Sequence, residues 1–216
     1  MQRLILSLAL TAISFGMTAC GDGSGTAHYV LDPPAPPQFT SDQLGTTELK
    51  LVSLPDYAAA DTIAWQDADG AVRSSSKILW ADKPERAFTI TLARAISETS
   101  GASVIPEPWP LASPPQHKLD VRVEKALAAN DGSFRLKGRY FLSAEGSGAG
   151  SHHIRSFDIA IPVDVDNPAS VATAASQAIT QLAEQIATLG GAGTTIIATM
   201  PGSGGSGSYA DLPPLF

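Results

Sequence analysis

Cys20 is the only cysteine in 216 residues. No internal disulfide can form, so whatever folds here must hold together without one. Basic residues are scarce as well: 14 Lys and Arg stand against 21 Asp and Glu, a net charge of −7. That balance argues against nucleic acid and against a polybasic membrane-surface patch. Catalytic signatures are missing too. No Gly-x-Ser-x-Gly elbow occurs, and no nucleophile–base pair is visible. Gly146 to Gly150 joins two expected strands and Gly190 to Gly193 follows an expected helix, whereas a phosphate cradle precedes one. His152 and His153 form the only histidine pair. Neighbours on a strand point to opposite faces, so these two cannot readily share a metal, and structural zinc wants four convergent ligands. Asp164-Val165-Asp166-Asn167 lacks the Gly and the bidentate Glu of a calcium loop; its acids precede a helix start, where the helix dipole favours negative charge. The expectation is no catalytic residue, no cofactor site and no metal site: not an enzyme.

What is present begins at the first residue. Arg3 supplies a positive start, Leu4 to Met17 is an apolar run, and Thr18-Ala19 puts small residues just before Cys20. This is the layout of a signal peptide over residues 1–19 with a small-residue cleavage site. The run covers 14 residues, whereas crossing a bilayer as a helix takes about 20. A cysteine directly after the small pair is what bacterial lipoprotein signals look like, which makes Cys20 the lipid attachment residue. Acyl chains contribute about 0.8 kcal/mol per buried methylene, so the mature protein is expected to be anchored, not spanning. Gly21 rather than Asp follows the cysteine. By resemblance to lipoprotein sorting signals, this points to the periplasmic face of the outer membrane over the inner membrane. Losing residues 1–19 removes Arg3 alone among the charged residues, so 14 basic become 13 against 21 acidic and the net charge becomes −8.

Residues 20–47 read as a lipid-anchored Gly/Pro-rich tether. Tyr29-Val30-Leu31 is a β-favouring triplet that could be a strand of the domain. If so, about eight residues separate lipid from fold, and at roughly 3.3 Å each the domain sits within ~26 Å of the membrane. The prolines after Asp32 enforce extended geometry. A single domain is expected over 48–190. Within it, Leu49 to Leu54 reads as a strand ended by Pro55-Asp56. Thr62 to Gln66 and Ala71 to Ser74 flank the turn Asp67-Ala68-Asp69-Gly70. Asp82 is the expected cap of a helix with Pro84 in its first turn, and Gly101 its stop. Val104-Ile105 is a brief strand.

Leu119, Val121 and Val123 then alternate with charged residues, Asn130-Asp131-Gly132 turns, and Phe134, Leu136, Tyr140 and Leu142 alternate again. A further strand carries Phe157, Ile159 and Ile161. A second helix starts at Asn167-Pro168 with Val171, Ala175, Ile179, Leu182 and Ile186 as its inner stripe. Residues 191–216 read as a disordered Gly/Ser-rich tail. The order implies an α+β fold: a two-layer sandwich, its mainly antiparallel sheet covered on one face by two helices. Asp120, Arg122, Glu124, Arg135, Lys137 and Arg139 should form the wet face, with cross-strand ion pairing the first expectation. Trp80 and Trp109 read as packing anchors.

The chain resembles the ABC-type transport auxiliary lipoproteins, the lipoprotein subunit of the paraquat-inducible (Pqi) membrane-integrity system. The resemblance rests on the lipoprotein cysteine with Tyr29-Val30-Leu31 close behind, Leu54-Pro55-Asp56-Tyr57, and Trp80-Ala81-Asp82-Lys83-Pro84. Pro108-Trp109 and Asp164 to Asp166 before an Ala-rich helix complete it. The resemblance implies a non-catalytic periplasmic subunit of a lipid transport system. Its expected partner is a protein of mammalian-cell-entry (MCE) domains, whose tunnel the lipoprotein anchors or caps at the outer membrane. Homo-oligomerisation is left open. The other reading is a lipid-binding lipoprotein that carries lipid in its own domain, in a cavity lined by Phe88, Leu92, Ile179 and Leu182.

Overall fold

The strands His117–Ala128, Ser133–Ala144 and Ser151–Pro162 dominate the fold. The computed structural model describes residues 25–36, 43–146 and 150–197. In chain order its strands are β1 Ala27–Tyr29, β2 Thr46–Leu49, β3 Thr62–Gln66, β4 Val72–Trp80, β5 Ser103–Pro106, β6 His117–Ala128, β7 Ser133–Ala144, β8 Ser151–Pro162 and β9 Ala192–Ile197. The helices are α1 Asp56–Ala59, α2 Pro84–Ser100 and α3 Pro168–Ala187. All nine strands share one sheet with the path β1-β4-β3-β6-β7-β8-β9, and β2 pairs with both β5 and β6.

The long antiparallel meander β6–β7–β8 forms because its alternation is sustained and its turn is well specified. Gly132 takes φ 76°, and the Asp131 carboxylate accepts from the Ser133 backbone N–H at 3.0 Å. One face of the meander buries Leu119, Val121, Leu136, Tyr140, Phe157 and Ile159. The α+β two-layer expectation holds: α2 and α3 lie on that face and bury Phe88, Leu92, Ile96, Val171, Ile179, Leu182 and Ile186. Asn167 caps α3 as expected, its side-chain oxygen accepting from the Ala169 N–H. Gly101 ends α2 in the left-handed region, φ 75°.

Gly138 is required by packing. It lies between Val123 and Phe157 in register, and a Cβ there would fall 2.2 Å from the Arg122 carbonyl oxygen.

Several expectations shift. The Leu49–Leu54 strand moves upstream to β2; residues 50–54 keep a bridge between Ser53 and Arg122, and the Lys50 N–H donates to the Leu119 carbonyl at 2.9 Å. Thr47 is wholly buried with its hydroxyl donating to the Leu44 carbonyl, and that is how a polar stretch can enter the sheet. The partner of β3 runs on to Trp80, well past Ser74. Asp82 does not cap α2. Its carboxylate accepts from the Lys83 N–H and pairs with Arg86, leaving Lys83 at the cap position without a side-chain bond.

Both domain limits differ as well. Among the described residues the first strand is β1, which begins two residues earlier than Tyr29–Leu31 and ends at Tyr29, because Leu31 turns inward and the prolines beyond it lack ladder donors. At the other end, residues 192–197 form β9 against β8, whereas the tail was expected to start at 191. Residues 1–24, Cys20 among them, and 198–216 lie outside the described residues.

Candidate functional site

The segment from Tyr29 to Pro36 forms a strap over the helix layer, and it is the most distinctive surface feature of the domain. Proline fixes φ and removes a donor, so Pro33, Pro34 and Pro36 hold the chain extended without sheet pairing. Its polar groups go to the helices instead. The Asp32 N–H donates to Ser176 Oγ of α3 at 3.0 Å, Thr180 Oγ1 donates to the Pro34 carbonyl at 3.3 Å, and the Asp32 carboxylate lies 3.5 Å from Arg94 of α2. Leu31 is only 9% exposed and plugs the apolar space between Trp80, Phe88, Phe134 and Val171. Val30, its neighbour, points the other way at 65% exposure.

Val30 is a crest between two grooves. On the α2 side a groove of about 290 Å³ is lined by Tyr29, Trp80, Arg86, Ile90 and Thr91. On the α3 side a wider one of about 630 Å³ is lined by Pro33, Pro34, Ala169, Thr173, Ser176 and Gln177. The space beneath the strap is far smaller. The cavity beneath Leu31 and Phe88 holds about 40 Å³, whereas small-molecule pockets run to about 300–1,000 Å³. Leu92, Ile179 and Leu182, expected to line a lipid cavity with Phe88, are wholly buried side chains of the core.

The opposite face of the sheet is wet, and its arginines have acidic partners. Arg122 meets Asp120 at 2.9 Å, Arg135 meets Asp131 at 2.8 Å and Arg139 meets Glu124 at 3.4 Å. Only the last of these crosses between β6 and β7. A β-bulge between Val123 and Lys125 shifts the register and sets Arg122 opposite Arg139 and Lys125 opposite Lys137. Each arginine therefore relies on its own acid. The hydrogen bonds of Asp131 to Ser133 and Arg135 hold its carboxyl down at about 2. Such exposed, solvent-screened pairs add little to stability and serve solubility more.

At the far end of the sheet a polar cluster pins β9. The Tyr140 hydroxyl donates to the Gly190 carbonyl at 2.7 Å, and burial pushes its pKa well up, keeping the proton in that bond. Arg155 donates to the Leu189 carbonyl at 3.2 Å and to Thr195 Oγ1 at 2.8 Å. His153 sits between Thr195 Oγ1 and Ser151 Oγ, both at 3.1 Å. Burial, and then the charges of Arg155, His117 and His152, lower its pKa.

His153 thus has a structural partner set, and among the described residues no three His, Cys, Asp or Glu side chains converge. Asp164 and Asp166 shape the turn before α3, with the Asp166 N–H donating to Asp164 Oδ1. Trp80 walls both the inner cavity and the α2 groove, while the Trp109 indole N–H is bound in its own loop by the Ser113 carbonyl at 2.7 Å.

The strap's partners were missed in sequence. One signal was available: Ser176 and Thr180, a turn apart, are the polar residues on an otherwise apolar, Ala-rich buried face of α3.

A family model described as the ABC-type transport auxiliary lipoprotein component matches residues 29–187. No curated protein matches the chain in sequence. A crystal structure of an uncharacterized protein shares the fold: TM-score 0.62 at 21% identity, covering 76% of this chain and 98% of that one. A Xanthomonas campestris protein of the DUF330 family model reaches a TM-score of 0.49 at 16% identity, over 75% and 90% of the two chains. No helix among the described residues is long and apolar enough to cross a membrane.

Proposed function

Because the chain belongs to the family of ABC-type transport auxiliary lipoprotein components, we propose that it is the non-catalytic periplasmic lipoprotein subunit of an MCE-type lipid transport system, held at the outer membrane by lipid on Cys20. In this reading it anchors or caps the transport tunnel and supports envelope integrity. The observation that carries it is the N-terminal strap. The fold begins at Ala27, seven residues after Cys20, so the body stays within about 23 Å of its anchor at roughly 3.3 Å per residue. The strap then ties that tether to both helices through Asp32 and Pro34. A subunit that carried lipid inside its own domain would need a hundreds-of-Å³ cavity, whereas the space beneath Leu31 and Phe88, where α2 and α3 meet the sheet, is about 40 Å³.

Copurification tests the reading. Gently solubilised envelopes should yield the protein together with an MCE-domain protein, and Cys20→Ala should release it from the membrane fraction. Recovery of free monomer alone, under conditions that keep other envelope complexes whole, would refute the transport role. Unchanged membrane partition of Cys20→Ala would refute the anchor.

A further inference from the structure

We propose that the ridge formed by Val30 and Ile90, with the groove between them, is the face on which the domain rests against a phospholipid bilayer. The inference goes beyond the anchor itself, and it rests on the reading of Cys20 as lipidated. Val30 is 65% exposed on the strap and Ile90 43% exposed on α2, and both line the same groove of about 290 Å³. Tyr29 and Trp80 line that groove too. Tyrosine and tryptophan present an apolar body with a polar tip, the combination that suits a membrane–water interface.

The surrounding charges are balanced. Arg86, Ile90 and Arg94 follow one another at four-residue spacing on the exposed side of α2, so the apolar residue has an arginine one turn to each side. Asp82 pairs with Arg86, and Asp32 of the strap pairs with Arg94 at 3.5 Å. Each flank therefore offers one cation and one anion. That complements a zwitterionic headgroup, whose phosphate and ammonium can be met by the arginine and the aspartate respectively. A net-acidic protein could not rely on basic attraction to a surface, so neutral, paired flanks are what such a face requires.

Tether length supplies the remaining argument. Ala27 is seven residues from Cys20 and Val30 ten, a reach of at most about 23 and 33 Å at roughly 3.3 Å per residue. A short tether raises the effective concentration of the face at the membrane to the order of millimolar. Two apolar side chains and one groove can then hold an orientation that they could not hold in trans.

The test uses the full-length lipidated protein. With the Cys20 sulfur acylated, a cysteine introduced by Ile90→Cys, Val30→Cys or Val72→Cys is the only free thiol. Each variant is labelled with an environment-sensitive fluorophore. It is then reconstituted into vesicles of phosphatidylethanolamine with a minority of phosphatidylglycerol, with or without brominated phosphatidylcholine. Val72 is 48% exposed at the opposite end of β4 from Trp80 and serves as the control.

Labels at positions 30 and 90 should shift to the blue and lose most of their emission when brominated lipid is present. The label at 72 should stay water-like. Water-like emission at both 30 and 90 in vesicle-bound protein overturns the proposal and leaves the anchor intact. A blue shift that brominated lipid does not quench means that protein covers the face, a partner or a second copy, and also overturns it. Failure to float with vesicles refutes the anchor, and the proposal falls with it.

Discussion

Leu31 and Val30 are adjacent, yet truncating them should have opposite consequences. Leu31 is 9% exposed and Val30 65%. Leu31→Ala removes three buried carbons, worth about 2.4 kcal/mol at ~0.8 kcal/mol each. The site cannot collapse easily, because the rigid rings of Trp80, Phe88 and Phe134 wall a void of about 40 Å³ that is already open beside it. At ~24 cal/mol per Å³, enlarging that void adds about 1 kcal/mol for every 40 Å³ gained, which places Leu31→Ala at roughly 3–4 kcal/mol. Val30→Ala should stay within about 0.5 kcal/mol, as exposed substitutions do.

Urea unfolding followed by tryptophan fluorescence measures both, with hydrogen exchange of the Asp32 N–H reporting whether the strap opens first. In Leu31→Ala that amide should exchange faster than global unfolding permits, since beyond Tyr29, whose carbonyl accepts from the Ala81 N–H, the strap is tied by two hydrogen bonds of about 1 kcal/mol each and an exposed ion pair. A loss below 1 kcal/mol for Leu31→Ala, or equal losses for the two variants, would refute the strap as a docked part of the core.

Two further outcomes follow from other parts of the sheet. Gly138→Ala would set a methyl 2.2 Å from the Arg122 carbonyl oxygen and 2.8 Å from the Phe157 ring. Overpacking of this kind costs about 1–3 kcal/mol, and the involvement of backbone puts the variant at the upper end, visible as a thermal midpoint roughly 5–10 °C lower; an unchanged midpoint would contradict the register of β6, β7 and β8. The depressed pKa of His153 means that the unfolded chain takes up its proton first as pH falls. Stability should be constant above the unfolded value of 6.5 and decline below it until the folded group also titrates. Comparing urea midpoints of wild type and His153→Gln from pH 7.5 down to 5 isolates this contribution, and parallel pH profiles would exclude it.

The meander and the two long helices were legible because their signals are local. Each apolar residue in β6, β7 and α3 recurs at the period of its own element, and Asn130-Asp131-Gly132 and Asn167-Pro168 mark the boundaries with their own side chains. Where a boundary depended on a competing local bond, reading failed by one residue: Asp82 binds Lys83 and Arg86, and the helix starts without it. On the wet face the charges were legible, but their pairing was not, since one bulge between Val123 and Lys125 decides which residues stand opposite each other.

By itself the sequence determined the class of fold, its long three-strand meander and its two covering helices. All of these depend on residues within one turn or one strand of each other. Only the tertiary structure decided that residues 27–36 are part of the body and not tether. Asp32 finds Ser176 across 144 positions of chain, and no period in either segment announces the other. β9 is the same case in another form. Ala192–Ile197 is exposed along its whole length and carries no burial pattern to read. It becomes a strand because the backbone edge of β8 offers it hydrogen-bond partners and because Arg155 and His153 hold Thr195 there.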